Sequence, residues 1–236
     1  MWKADGVPRL TPMLALALVT LTGCSGGDEG PDDERSPREV LERAKATLDE
    51  TSGVAISLEA EDLPDGVTAI RAAEGVGTHA PAFEGTLTVV LSGTEFDVPV
   101  VAVDGKVFAQ IPLTPGWSDV DPEEYGAPDP ARLMSTQDGL SSLLTATTAI
   151  EQGGSVRGGE DNREVLTEYR GTVPGDVVDN VIPSASGDFQ AAYTITDDEL
   201  RTARLTGVFY PDADAMTYTV GIDDYGTEKD IAAPTG

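Results

Sequence analysis

From Val54 onward, apolar residues recur at every second position in one segment after another, and this period of two limits the fold more than any other feature. Val54, Ile56 and Leu58 alternate with small or polar neighbours. Phe83, Leu87, Val89 and Leu91 share one face of the segment 82–91, and Phe96, Val98 and Val100 share one face of 95–103. A strand patterned in this way is dry on one face and wet on the other, so several of them together specify an antiparallel sheet buried on one side. The punctuation agrees. Leu63-Pro64-Asp65-Gly66 reads as a turn, and Asp104-Gly105 is a strong hairpin signal, because both central residues of a type I′ turn take positive φ. Strands are therefore predicted at 54–60, 68–78, 82–91 and 95–103, the last returning through Lys106–Ala109.

Helical signals flank this meander. Ser36-Pro37-Arg38-Glu39 combines an N-cap serine, proline at the first helical position and glutamate where a capping box requires it. Val40, Leu41, Ala44 and Leu48 then form one apolar stripe, which predicts a helix from Pro37 to about Ser52, ended by Gly53. Asp129-Pro130-Ala131 opens one or two helical turns. Asp138 is placed as the cap of a helix bearing Leu140, Leu143, Leu144, Thr147 and Ile150, ended by Gly153-Gly154. Strands at 155–157 and 163–171 meet across Gly158-Gly159, and Pro174 opens a short helix with Val177, Val178 and Val181 before Pro183. Three further strands, near 188–196, 200–209 and 215–222, close the chain. The sum is one sheet-rich α+β domain over residues 37–236.

The N-terminus reads as an address instead of fold. Lys3 and Arg9 precede an apolar run, Met13 to Val19, about half the ~20 residues that a bilayer span requires. Leu21-Thr22-Gly23-Cys24 follows, matching the bacterial lipobox, in which the cysteine thiol takes a diacylglyceryl group before cleavage ahead of it. The only cysteine of the chain stands where lipidation would put it. Residues 1–23 are thus expected to be a signal peptide, and 24–36 a lipidated cysteine with a flexible, acidic tether lacking apolar residues. The chain carries 42 acidic against 15 basic side chains, a formal net charge of -27. Such a polyanion is a poor partner for nucleic acid, since phosphate contacts need Lys or Arg, and it is repelled by an anionic membrane surface. Attachment to the plasma membrane falls to the acyl anchor.

Catalytic chemistry finds little to work with. One Cys and one His, His79, leave no intrachain disulfide and no Cys/His zinc cluster. No Gly-x-Ser-x-Gly elbow, Walker loop or dinucleotide glycine loop occurs. The carboxylates Asp119, Asp121, Glu123 and Glu124 lack EF-hand spacing. Arg132, Arg157 and Arg163 are the mid-chain cations available to a headgroup, and each is read first as a solvated surface charge. The expectation is a binding protein, not an enzyme.

Several stretches carry a resemblance: Val103-Asp104-Gly105-Lys106-Val107, Trp117-Ser118-Asp119, Asp129-Pro130-Ala131, Asp138-Gly139-Leu140 with Leu143-Leu144, and Asp224-Tyr225-Gly226. Through them the chain resembles the LppX/LprA/LprF/LprG lipoproteins of actinobacteria. The resemblance implies a half-barrel, a curved antiparallel sheet with helices packed on its concave face around an apolar cavity. It also implies an acylated lipid or glycolipid, of triacylated type, as ligand, carriage from the plasma membrane toward the outer envelope, and an inner-membrane lipid exporter as a partner. Cavity candidates are Leu87, Val89, Leu91, Phe96, Val98 and Val100 on the strands, with Leu140, Leu143, Leu144, Val177 and Val181 on the helices. The same residues would also fill an ordinary core, so a structural or signalling surface lipoprotein with a solid interior remains the alternative.

Overall fold

The computed structural model describes residues 35–125, 127–159 and 162–235. Cys24, the proposed signal peptide 1–23 and nearly all of the tether lie outside the described residues. The first element is α1 (Pro37–Glu50), opened by the expected capping box: the Ser36 hydroxyl accepts from the Glu39 amide, and the Glu39 carboxylate accepts from the Ser36 amide at 2.9 Å. The Ser36 hydroxyl also donates to the Glu39 carboxylate at 2.6 Å, and this bond together with the one from the Ser36 amide holds the Glu39 carboxyl below the ordinary carboxylate range. Val40, Leu41, Ala44 and Leu48 are its buried stripe.

A first meander follows: β1 (Gly53–Glu61), β2 (Ala69–Thr78), β3 (Ala82–Leu91), β4 (Thr94–Val103), β5 (Lys106–Ala109) and β6 (Ser118–Val120). Asp104 and Gly105 take φ of 55° and 70°, the pair of positive values that a type I′ hairpin needs. Two 3-10 turns, Pro122–Tyr125 and Pro130–Met134, lead to α2 (Leu140–Ala146). The second meander is β7 (Thr148–Gly158), β8 (Glu164–Val173), β9 (Ser186–Thr196), β10 (Glu199–Val208) and β11 (Met216–Asp223), with α3 (Gly175–Asp179) between β8 and β9.

All eleven strands belong to one open, curved antiparallel sheet in the order β6-β5-β4-β3-β2-β1-β11-β10-β9-β8-β7. The two meanders are joined by β1 and β11, whose register pairs Ile56 with Ile222, Leu58 with Val220 and Ala60 with Tyr218. No turn links these strands. What pairs them is the match of their dry faces.

Two local expectations are corrected. The helix beginning near Asp138 stops at Ala146 and does not reach Gly153. Asp138 is not its cap, because its carboxylate is taken by the Ser135 hydroxyl and by Arg132, and Gly139 holds the N-cap position. Thr147 turns extended and its hydroxyl donates to the Leu143 carbonyl at 2.7 Å, closing the helix, while Ala149 takes φ of 50°. Thr148 onward then pairs with β8, so Ile150 reaches the core from a strand. The second correction is β6, a short edge strand on β5 that periodicity did not reveal.

The helices lie on one face of the sheet, the inner face. There α1, α2 and α3 make the main core with Phe189, Ala191, Tyr193, Ile195, Leu205 and their neighbours. A separate cluster gathers Phe83, Val100, Ala102, Val107 and Ala109 under Ala131 of the Pro130–Met134 turn. Phe83 lies over two glycines, since a Cβ on Gly75 would come within 2.5 Å of its ring and one on Gly85 within 2.7 Å. On the outer face Ala82, Val101 and Val103 are covered by Ile231 of the C-terminal segment.

Candidate functional site

The inner face of the first meander changes along the strands. Because strand partners are known, it can be followed row by row. The row Val54, Gly77, Phe83, Ala102 and the next, Ile56, Gly75, Gly85, Val100, lie beneath the helical layer, with Phe83 1% and Val100 3% exposed. The third row, Leu58, Ala73, Leu87 and Val98, is half-buried. So is the fourth, Ile70, Val89 and Phe96. Leu91, at the end of β3, is 51% exposed.

The cause is the placement of the helices. They pack against the second meander, whereas over β2 to β4 the main helical cover is the Pro130–Met134 turn. The result is a contiguous apolar strip, Leu58, Ala73, Leu87, Val98, Ile70, Val89 and Phe96, floored by backbone that is already hydrogen-bonded within the sheet. Leu58 and Ala60 border the main core, and Leu87 and Val98 border the second cluster, so the strip bridges two dry regions. It is electrically quiet. At its β11 side, the Tyr210 and Tyr218 hydroxyls are 2.8 Å apart, and Tyr218 donates to the Ile70 carbonyl at 2.9 Å. Burial pushes both phenols up from their ordinary value, which keeps them neutral.

At the sheet edge the strip runs into a cleft of about 620 Å³. β5 pairs only with Val100–Val103, so the earlier half of β4 faces the segment 110–116, tied on by the Gln110 amide donating to the Pro99 carbonyl at 3.0 Å. Phe96, Ile111 and Pro112 supply apolar walls, and Glu95, Asp97, Gln110 and Thr114 supply polar ones. A second pocket of about 220 Å³ lies between residues 121–132 and the end of α3, with Val181, Asn180, Arg132 and three carboxylates on its walls.

The candidate residues thus fall into two groups that do not meet. Leu87, Val98 and Val100 adjoin the second cluster, with Val89, Phe96 and Leu91 continuing outward from it. Leu140, Leu143, Leu144 and Val181 are buried in the main core, with Val177 at its margin. Leu58, Ala60, Ile70, Ala73, Tyr218 and Ile111 were not singled out in sequence. Leu58 carried a signal, as the third member of the β1 alternation, but its neighbours across the sheet are set by pairings that no local pattern encodes.

The polar candidates have structural duties. His79 donates from Nε2 to the Leu48 carbonyl at 2.6 Å, securing the end of α1. Asp119 pairs with Lys106 at 2.7 Å, Asp121 accepts from the Glu123 amide, and Arg132 pairs with Asp138 at 3.1 Å. Among the described residues no group of three His, Cys, Asp or Glu side chains is arranged to hold a metal ion. No helix among them is long and apolar enough to cross a membrane.

An open curved sheet with one face only partly roofed by helices defines a class of proteins built around an accessible apolar surface. The comparisons give that class a family. The profile of the LppX_LprAFG lipoproteins matches residues 36–232, and the chain belongs to this family. Among solved structures, LprF from Mycobacterium bovis superimposes with a TM-score of 0.68 at 15% identity, covering 85% of this chain and 97% of that one. Lipoprotein LppX from Mycobacterium tuberculosis gives 0.61 at 16% identity, covering 83% and 98%. No curated protein matches the chain. The curved antiparallel sheet with helices on its inner face that the resemblance implied is therefore the fold observed, and the family is one of cell-envelope lipoproteins.

Proposed function

We propose that this lipoprotein binds an acylated lipid or glycolipid along the half-buried strip and carries it from the plasma membrane toward the outer envelope, held at the membrane by acylated Cys24. The observation that carries the reading is the contiguous strip of Leu58, Ala73, Leu87, Val98, Ile70, Val89 and Phe96. An acyl chain leaving a bilayer forfeits ~0.8 kcal/mol per methylene, so a carrier must offer apolar surface along most of the chain's length. A site for two or three acyl chains must exceed the roughly 300–1,000 Å³ of ordinary ligand pockets; the edge cleft of about 620 Å³ falls short of that alone, so the open strip has to take most of the acyl length. In this reading the acyl chains lie along the strip, and a polar headgroup stays at the wet end near Glu95, Asp97 and Gln110. A membrane exporter on the donor side and transfer to the outer envelope complete the proposal.

The test is mass spectrometry of gently extracted protein. Co-purified acylated lipid is the expected result, and repeated recovery of lipid-free protein would favour the solid-core alternative, to which the closed packing of Leu143 and Leu144 lends itself. The anchor is tested separately. Cys24→Ser should leave the domain folded and release it from the membrane fraction, because the residue precedes every element of the sheet; unchanged membrane partition would refute the anchor.

A further inference from the structure

The cleft opens on a lip free of charged side chains. Val107 to Ser118 contains no charged residue, and neither does Gly85 to Thr94, in a protein of net charge -27. These two stretches form the β5–β6 connection and the end of the β3–β4 hairpin, and the cleft walls at Phe96, Ile111 and Pro112 lie between them. Each presents a leucine to solvent: Leu91 is half exposed and Leu113 is fully exposed.

Leu113 is the more informative of the two. The Thr114 amide donates to the Ile111 carbonyl at 3.0 Å, closing a turn with Pro112 at its second position and Leu113 at its third. Leu113 takes φ of 69° there. This is the arrangement of a type II turn, whose third position favours glycine, because a Cβ is strained at positive φ. The chain instead places a large apolar side chain in a conformation that disfavours it, held by Pro112 and followed by Pro115, where it touches nothing that would repay the strain. Strain kept at an exposed apolar residue points to a partner absent from the structure.

Resting on the carrier reading, we propose that this lip docks on the bilayer, with Leu113 and Leu91 inserted among the acyl chains so that lipid passes over Ile111 and Phe96 onto the strip. Charge selects the occupant. A second copy of so acidic a chain would be repelled, whereas uncharged hydrocarbon accepts a charge-free lip without an electrostatic cost. Insertion is shallow, because Glu95 and Asp97 stand just behind the lip. Glu95 is paired with Arg71 at 2.6 Å, and Asp97 accepts from the Thr88 hydroxyl at 2.8 Å, which eases their approach to the headgroup layer.

The test uses the full chain with Cys24→Ser, so that an introduced cysteine is the only thiol. Leu113→Cys, labelled with an environment-sensitive nitrobenzoxadiazole dye, is mixed with phosphatidylcholine vesicles containing brominated phosphatidylcholine. Asp104→Cys, at the opposite end of β4, serves as control. Blue-shifted emission quenched by bromine at position 113 and not at 104 is expected. Water-like emission at both positions overturns the proposal. A blue shift without vesicles that grows with protein concentration also overturns it, since a second copy then covers the lip. A further variant, Leu113→Gly, suits the turn and should keep or raise Tm. It should slow uptake of pyrene-labelled phosphatidylcholine on the order of tenfold, because several methylenes of bilayer contact are lost, while the final loading is unchanged; an unchanged uptake rate counts against the lip. If the parent protein takes up no lipid at all, the carrier reading fails, and the dye at position 113 still decides the docking.

Discussion

Leu87 and Phe83 stand four residues apart on the same face of β3, yet they meet different surroundings. Phe83 is enclosed between Gly75, Gly85 and the Pro130–Met134 turn, whereas Leu87 is half-buried in the strip. Two substitutions separate these environments. Gly85→Ala would drive a methyl into the Glu74 carbonyl and the Phe83 ring, neither of which can retreat, so a clear fall in Tm is expected with the half-buried strip untouched. Leu87→Trp adds apolar volume where the helical roof is missing. Lipid content should fall while Tm hardly moves, measured by mass spectrometry and thermal melting on the same preparation. In a packed core the same insertion would cost ~1–3 kcal/mol, so a large drop in Tm with unchanged lipid would remove Leu87 from the site. Leu143 and Leu144 are fully buried, and lipid contact there requires the main core to open.

Among the elements, α2 shows how tertiary contacts override a helical spacing. Leu140, Leu143, Leu144, Thr147 and Ile150 follow the helical period, but the helix ends before Thr147 because its hydroxyl is drawn to the Leu143 carbonyl at 2.7 Å and to the Tyr193 hydroxyl at 2.9 Å. Both side chains are buried, and burial pushes the Tyr193 phenol up from its ordinary value. Thr147→Val keeps the shape and leaves the Tyr193 hydroxyl only its long 3.4 Å bond to the Leu143 carbonyl, so a loss of ~1–3 kcal/mol is expected from denaturant melts. Combining it with Tyr193→Phe should recover part of that loss. Strict additivity of the two changes would show that the hydroxyl pair does not hold the helix end. The other elements were legible for local reasons. The capping box of α1 and the Asp104-Gly105 hairpin depend on residues within a few positions of one another, and both form as read. β6 was not, because three residues are too few to display a period.

At the scale of the whole molecule, the excess of carboxylates works against compactness. Surface ion pairs such as Lys106 with Asp119 and Arg204 with Glu61 offset little of it, since exposed pairs contribute about 0–1 kcal/mol each. Like charges dominate at longer range, and the screening length shortens from ~30 Å at 0.01 M salt to ~8 Å at 0.15 M. Raising sodium chloride across that interval should therefore raise Tm in a thermal melt. A flat or falling Tm would mean that local ion pairs outweigh the net repulsion.

Alternation, turn chemistry and capping depend on residues close together in the chain, and for that reason the sequence by itself determined that this protein is sheet-rich, where most strands run, and which face of each is dry. It also determined the family resemblance and the address motif ending at Cys24. Only the tertiary structure decided that the two meanders close into one sheet through β1 and β11, because that contact joins strands more than 150 residues apart by matching faces alone. Only it decided which dry residues are roofed. Leu87 and Leu143 are the same residue type on the dry face of their elements, and what sets their burial apart is a helical layer that packs against the second meander and reaches β2 to β4 mainly at one end.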